Sequence, residues 1–252
     1  MAITPAITKL PAEILCQIFQ SSADFSVVIA LARTSRALYS IYLINAPSIF
    51  RAVAIRALPS LADAERLVDV QEEADTLSHP DRPPPLPSRQ SRLFNNAHRT
   101  SAACKHWDEI CQIHQFERAR GDDSALRASE RARFKRSFYH LWTLCTLANE
   151  PALQPRAIDF LDARDPVELA GLDEIATWAN GFNENDFGDS GLDFLDGTWN
   201  KGFQMVGNYC DRGGSKKSGH RRIHVYGDEA PLGFWVFFDH TQHYLGQISA
   251  HW

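Results

Sequence analysis

Apolar positions recur at helical spacing almost from the start of the chain. Ile14, Leu15, Ile18 and Phe19 fall on one broad face of a helix opened by Pro11, where a proline in the first turn loses no intrahelical hydrogen bond. Glu13 sets a carboxylate beside the positive end of that helix, and the "SSAD" step from Ser21 to Asp24 ends the run. A second helix is expected over "FSVVIALARTS", with Ser26 as N-cap before Val27, Val28 and Leu31. A third is expected over "RALYSIYLI", stopping before "NAP", so that a compact helical module occupies 5–50. The next stretch, 51–77, reads as a linking helix with Leu61, Ala64, Leu67 and Val68 on one side and acids on the other. Five prolines across 80–87 cannot continue a helix, which makes 78–99 a Pro-rich exposed loop or spacer.

The rest, 100–252, reads as a mainly helical C-terminal domain. One helix is expected over "SAACKHWDEICQIHQFERA" and another over "SALRASERARFKRSFYHLWTLCTLA", the most strongly periodic segment of the chain. In the latter, Phe134, Phe138, Leu141, Trp142 and Cys145 repeat along one face, and a stripe of this kind belongs to a core rather than to a cofactor. It is the expected central helix. A short helix follows around "PRAIDFLDA", and Asp165-Pro166 opens another over "VELAGLDEIATWANGF" as an N-cap with proline in the first turn. Beyond Gly181 the texture turns to Gly, Asn, Asp and aromatics. Only "RRIHVYG" and "GFWVFF" look like strands there, a short hairpin near 221–245. The fold class is therefore mainly α, a three-helix module followed by a helical domain with a small irregular or β C-terminal part.

Composition alters this picture little. The 252 residues are 44% hydrophobic and 23% charged, which is globular rather than disordered. A net charge of -5 argues against nucleic acid as a partner. Arg33 and Arg36 interrupt the apolar stretch from Val27 to Phe50, so no membrane partner is expected, and no secretory leader is legible at the start. Five cysteines, an odd count, read as reduced and mostly buried.

Several motifs tempt and fail. "DFGDSGL" (Asp186 to Leu192) carries fragments of a kinase and of a serine-protease signature, yet no glycine-rich loop, strand lysine or preceding β-barrel pattern accompanies it. An EF-hand frame from Asp186 puts Gly197 where a bidentate Glu is required. Cys104, His106, Cys111 and His114, and then Cys210, His220, His224, His240 and His243, are rich in ligand types. None forms the short Cys-x2–4-Cys knuckle of a structural zinc, so neither metal nor cofactor is expected.

One resemblance carries a function. Leu10, Pro11, Glu13, Ile14, Leu15, Ile18 and Phe19, then Val28 and Leu31, then the "RTSRAL" step through Ser35, Arg36 and Leu38, resemble an F-box in order and spacing. Asp24-Phe25 stands where many F-boxes carry Leu-Pro, and Leu38 where many carry Trp. The block from Glu130 to Leu144 is similar to helices found downstream of the F-box in filamentous-fungal proteins. The resemblance implies a substrate-receptor subunit of an SCF-type cullin–RING ubiquitin ligase, working in the cytoplasm and/or the nucleus. Its partners would be an Skp-type adaptor, through it a cullin, and an unidentified protein substrate; the chain itself would perform no chemistry. Leu10, Pro11, Ile14, Leu15, Ile18, Phe19, Val28, Leu31 and Leu38 are the residues it assigns to adaptor contact or to the F-box core. Independently of it, a three-helix unit of this size buries little surface and carries more apolar positions than its own core consumes. The competing readings are a metal-assisted hydrolase built on the C-terminal His/Cys cluster and a helical scaffold whose first helices complete its own core.

Overall fold

The structure, a computed structural model, describes residues 10–23, 25–58, 60–79, 89–113, 126–181, 199–211 and 237. The described residues form nine helices and no strand, so the protein is mainly helical as its pattern predicts. The chain divides into two compact units, Met1–Leu61 and Ala62–Trp252.

In the first unit, α1 (Ala12–Gln20) and α2 (Phe25–Arg33) pack on α3 (Arg36–Ala57). Pro11 takes the N-cap position of α1, and its carbonyl accepts from Leu15 N–H at 3.1 Å. At the other end the Ser21 and Ser22 hydroxyls both donate to the Ile18 carbonyl, which closes the helix at the "SSAD" step. Helix α2 begins at Phe25, which places Ser26 inside the helix rather than at its N-cap. Ser35 caps α3, its hydroxyl accepting from Leu38 N–H at 3.2 Å.

Helix α3 does not stop before "NAP"; it runs ten residues past Pro47. Proline removes one donor, the partner of the Leu43 carbonyl, at a cost of about 3 kcal/mol in a helix interior. Side chains supply donors on either side of the gap: Asn45 Nδ2 to the Ile41 carbonyl and Ser48 Oγ to the Asn45 carbonyl, each at 2.9 Å. The second half is then held by burial of Ile49, Val53 and Ala54. The module accordingly extends past residue 50, to the end of the first unit.

The second unit opens with α4 (Leu61–Ser78), which buries Ala64, Leu67, Val68 and Val70 and is therefore an element of this unit's core, not a link. The expected 78–99 loop is shorter than its composition suggests, because α5 (Arg89–Ile113) starts directly after the prolines. Its first turns are tied to α4: Arg89 pairs with Asp69 and Glu72, Arg92 with Asp75, and Asn96 donates to Gln71.

Helix α6 (Ala128–Asn149) is the centre, with α5, α7 (Gln154–Asp162), α8 (Pro166–Gly181) and α9 (Asn200–Asp211) packed around it. Its predicted stripe, Phe134 to Cys145, is buried throughout and continues to Ala148, and Tyr139, Leu144 and Leu147 are buried on other faces. Asp165 caps α8 by accepting from Glu168 N–H at 2.8 Å. Phe237, alone among the described residues beyond 211, sits at 1% exposure against Trp107 and Phe134, its carbonyl accepting from the Arg133 guanidinium. The hairpin expected near 221–245 otherwise lies outside the described residues.

Candidate functional site

The nine residues assigned by resemblance separate cleanly in the first unit. Leu15, Phe19, Val28 and Leu38 are between 0% and 2% exposed and form its core with Ala32, Ile49 and Val53. Ile18 and Leu31 are half-buried against that core. Leu10, Pro11 and Ile14 face outward, with Ile14 at 41% exposure. Four of the nine are thus internal cement, two are shared, and three are free to be covered.

Local chemistry explains how these elements hold. The Arg56 guanidinium, on α3, donates to the Gln20 and Ser22 carbonyls and so caps the C-terminus of α1, where a cation complements the dipole. Phe25, standing where many F-boxes carry Leu-Pro, stacks on Phe50 with ring centroids 4.8 Å apart. The Thr34 hydroxyl donates to the Leu31 carbonyl at 2.7 Å, so the "RTSRAL" step ends α2 and starts α3 within two residues.

The outside of this unit is unusually apolar. Of the eleven large hydrophobic side chains exposed among the described residues, eight belong to it: Leu10, Ile14, Val27, Ile29, Tyr39, Leu43, Ile44 and Ile55. Ile44 is 79% exposed and Ile55 63%. Helix α3 meets α1 and α2 with one side, and its other side carries Leu43, Ile44 and Ile55 among Arg36, Ser40 and Arg51. By length and composition α3 is the one described helix able to cross a membrane; Arg33 and Arg36, which argue against a span in the sequence, do not interrupt it, since Arg33 precedes the helix and Arg36 is its first residue. As folded here it is the central helix of the first unit, and a span would have to strip α1 and α2 from it.

A second cluster, polar and buried, lies in the second unit. His140, on α6, is 3% exposed, and its Nε2 lies 2.8 Å from Asp63 Oδ1. An ionised carboxylate only accepts, so Nε2 carries the proton and donates. Arg164 Nη1, 3.5 Å from the same nitrogen, finds its partners elsewhere: Glu168 at 3.6 Å and the face of Phe160, 4.2 Å from the ring centroid. Arg136 reaches both Asp63 and Glu168. Burial pushes the Asp63 carboxyl up, but the His140 hydrogen bond and the charges of His140, Arg136 and Arg164 outweigh it and hold Asp63 below the usual carboxylate range. Burial likewise lowers Arg164, with Glu168 and Asp63 opposing the fall. An Asp–His pair resembles the orienting half of a catalytic triad, but among the described residues no Ser, Thr or Cys is hydrogen-bonded to His140. What the cluster does is fasten the start of α4, the middle of α6 and the α7–α8 junction to one another.

The thiols have no such setting. Burial raises Cys104 to about 11 and Cys145 well above its ordinary value, which leaves both protonated and inert. Among the described residues no three His, Cys, Asp or Glu side chains are grouped to hold a metal. His114, the "DFGDSGL" stretch, His220, His224, His240 and His243 lie outside the described residues. No family model, no curated protein and no solved structure matches the chain.

Proposed function

We propose that the first unit is an F-box-like docking module and that the chain is the substrate-receptor subunit of an SCF-type cullin–RING ubiquitin ligase, working in the cytoplasm or nucleus. The module binds an Skp-type adaptor, and the second unit holds the protein to be modified. The observation that supports this reading is the surplus of exposed apolar side chains on a small helical unit whose own core is already closed by Leu15, Phe19, Val28 and Leu38. Patches of that kind mark surfaces that another molecule covers. The outward position of Leu10, Pro11 and Ile14 agrees with the order of the F-box pattern, whose first residues are the ones left over after the core is built.

The test is co-purification of the full chain with an Skp-type adaptor. Pro11→Ala combined with Ile14→Asp should lower adaptor recovery at least tenfold, since a charge would be buried at the contact. All six tryptophans lie in the second unit, so an unchanged tryptophan fluorescence melt will report that this unit is intact. Unchanged recovery overturns the assignment. Flotation of the chain with phosphatidylcholine–phosphatidylserine vesicles, without adaptor binding, would hand the same apolar surface to a membrane instead.

A further inference from the structure

Within the second unit, the C-terminal turns of α4 and α6 border an open cavity of about 220 Å³. Its wall includes Asp75 and Ser78 from α4, Trp142 and Cys145 from α6, Glu150 just past its end, and Trp199 just before α9. Three independent features give it one sign of charge. Two helices present their negative ends here, and neither has a basic residue in its last turn. Two carboxylates are added where the dipoles already disfavour them. No lining residue is cationic.

The carboxylates differ in how far they are satisfied. Asp75 pairs with Arg92 at 2.7 Å. Glu150 accepts only from the Ser78 hydroxyl, at 2.8 Å, and from Ala152 N–H, at 3.4 Å, and no cation pairs with it among the described residues. The Cys145 thiol is neutral, because burial raises it, and adds no competing charge. The same wall includes two buried indoles, Trp142 at 8% and Trp199 at 3% exposure, with ring centroids 5.4 Å apart and planes tilted by 40°. Aromatic faces beside a carboxylate favour a cation with an aliphatic stem, through ring quadrupole, charge and methylene burial together. The volume is below that of a site for a drug-sized molecule and suits the end of one side chain.

We infer that this cavity receives the cationic end of a lysine or arginine side chain presented by the protein that the second unit holds. The inference deepens the receptor reading and rests on it for the identity of the protein, but the cavity's chemistry is tested without the adaptor. Nα-acetyl-arginine amide and Nα-acetyl-lysine amide are titrated into the full-length, isotope-labelled chain, with the citrulline and norleucine amides as neutral counterparts. Indole N–H resonances, six in all, are followed by NMR. Saturable shifts of two indoles are expected with a cationic amide, at a dissociation constant on the order of a few millimolar. Glu150→Gln, which keeps an acceptor for Ser78, should weaken binding about fivefold while leaving the thermal melt unchanged.

No saturation by either cationic amide, equal binding of the neutral ones, or an unaffected Glu150→Gln variant overturns the inference. Adaptor recovery is scored separately. A chain that recovers adaptor but takes up neither cation sinks the cavity alone, and one that binds the cation but no adaptor sinks the receptor reading alone.

Discussion

The two units use apolar residues in opposite ways. The first closes a core of seven side chains and leaves eight large hydrophobic ones on its outside, several of them along α3. The second, with most of the chain, leaves only Leu77, Phe94 and Ile158 similarly exposed among the described residues and seals α6 on nearly every face. A helix fully enclosed by its own unit has finished its packing. One that keeps large apolar side chains on an open side has packing still to do, and that contrast is why the first unit reads as a docking module and the second as a self-sufficient body.

The sharpest way to test the contrast is to damage the sealed unit. Phe134 stacks on Trp107 and Phe138 and meets Trp178 and Phe237 edge-on, all at centroid distances below 6 Å. Phe134→Ala should destabilise the second unit by about 3–5 kcal/mol, read as a lowered midpoint of the tryptophan fluorescence transition in urea. The next largest effect is expected at the α6–α9 crossing. A Cβ placed on Gly202 would lie 2.3 Å from Cys145 Sγ and 2.8 Å from its Cα, a backbone atom that cannot swing aside. Gly202→Ala should therefore cost at least about 2–3 kcal/mol through overpacking, despite the higher helix propensity of alanine.

Gly202 also shows where sequence reading ran out. Trp199, Phe203, Val206 and Cys210 are spaced as on a helix, and Val206 is fully buried, yet Gly202 and Gly207 made the stretch look irregular. Glycine is there because two helices touch, which no local pattern reveals. The start of α5 was hidden for a similar reason. Arg89, Arg92 and Asn96 look like polar loop residues until α4 supplies Asp69, Glu72, Asp75 and Gln71 as partners. What was legible came from local rules: the stripe of α6 and the Asp165-Pro166 opening of α8. For the candidate docking surface, the order of Leu10, Ile14 and Phe19 could be read, but not which of them faces out. One helical face of α1 carries both Ile14 and Leu15, and only the position of α3 decides that Leu15 is covered and Ile14 is not.

A smaller, pH-dependent effect is expected from the buried polar cluster. Asp63 has a depressed folded-state pKa, so its contribution is fully present above the unfolded carboxylate value near 4 and is lost as pH falls through the lower folded value. Asp63→Asn keeps an acceptor for His140 but takes the charge out of that hydrogen bond and removes a counter-charge for Arg136 and Arg164 while Glu168 remains. The variant should be less stable by about 1–3 kcal/mol at pH 7, with the gap to the parent chain narrowing below about pH 4. Urea midpoints measured at both pH values check this, and a gap that widened in acid would contradict the sign.

The smallest stability effect is expected where the comparison predicts none. Ile44 is 79% exposed on the open side of α3, so Ile44→Asp removes almost no internal packing, and its unfolding free energy should stay within about 0.5 kcal/mol of the parent. Because four of the six tyrosines lie in the second unit, the melt of the tryptophan-free first unit is followed by backbone amide hydrogen exchange of α1–α3. If Ile44 belongs to the surface that a partner covers, the charge will cost association instead: recovery of the adaptor falls while both melts hold. A variant that unfolds the first unit would show that the open side of α3 is part of that unit's own packing, and the difference between the two units would then be one of degree.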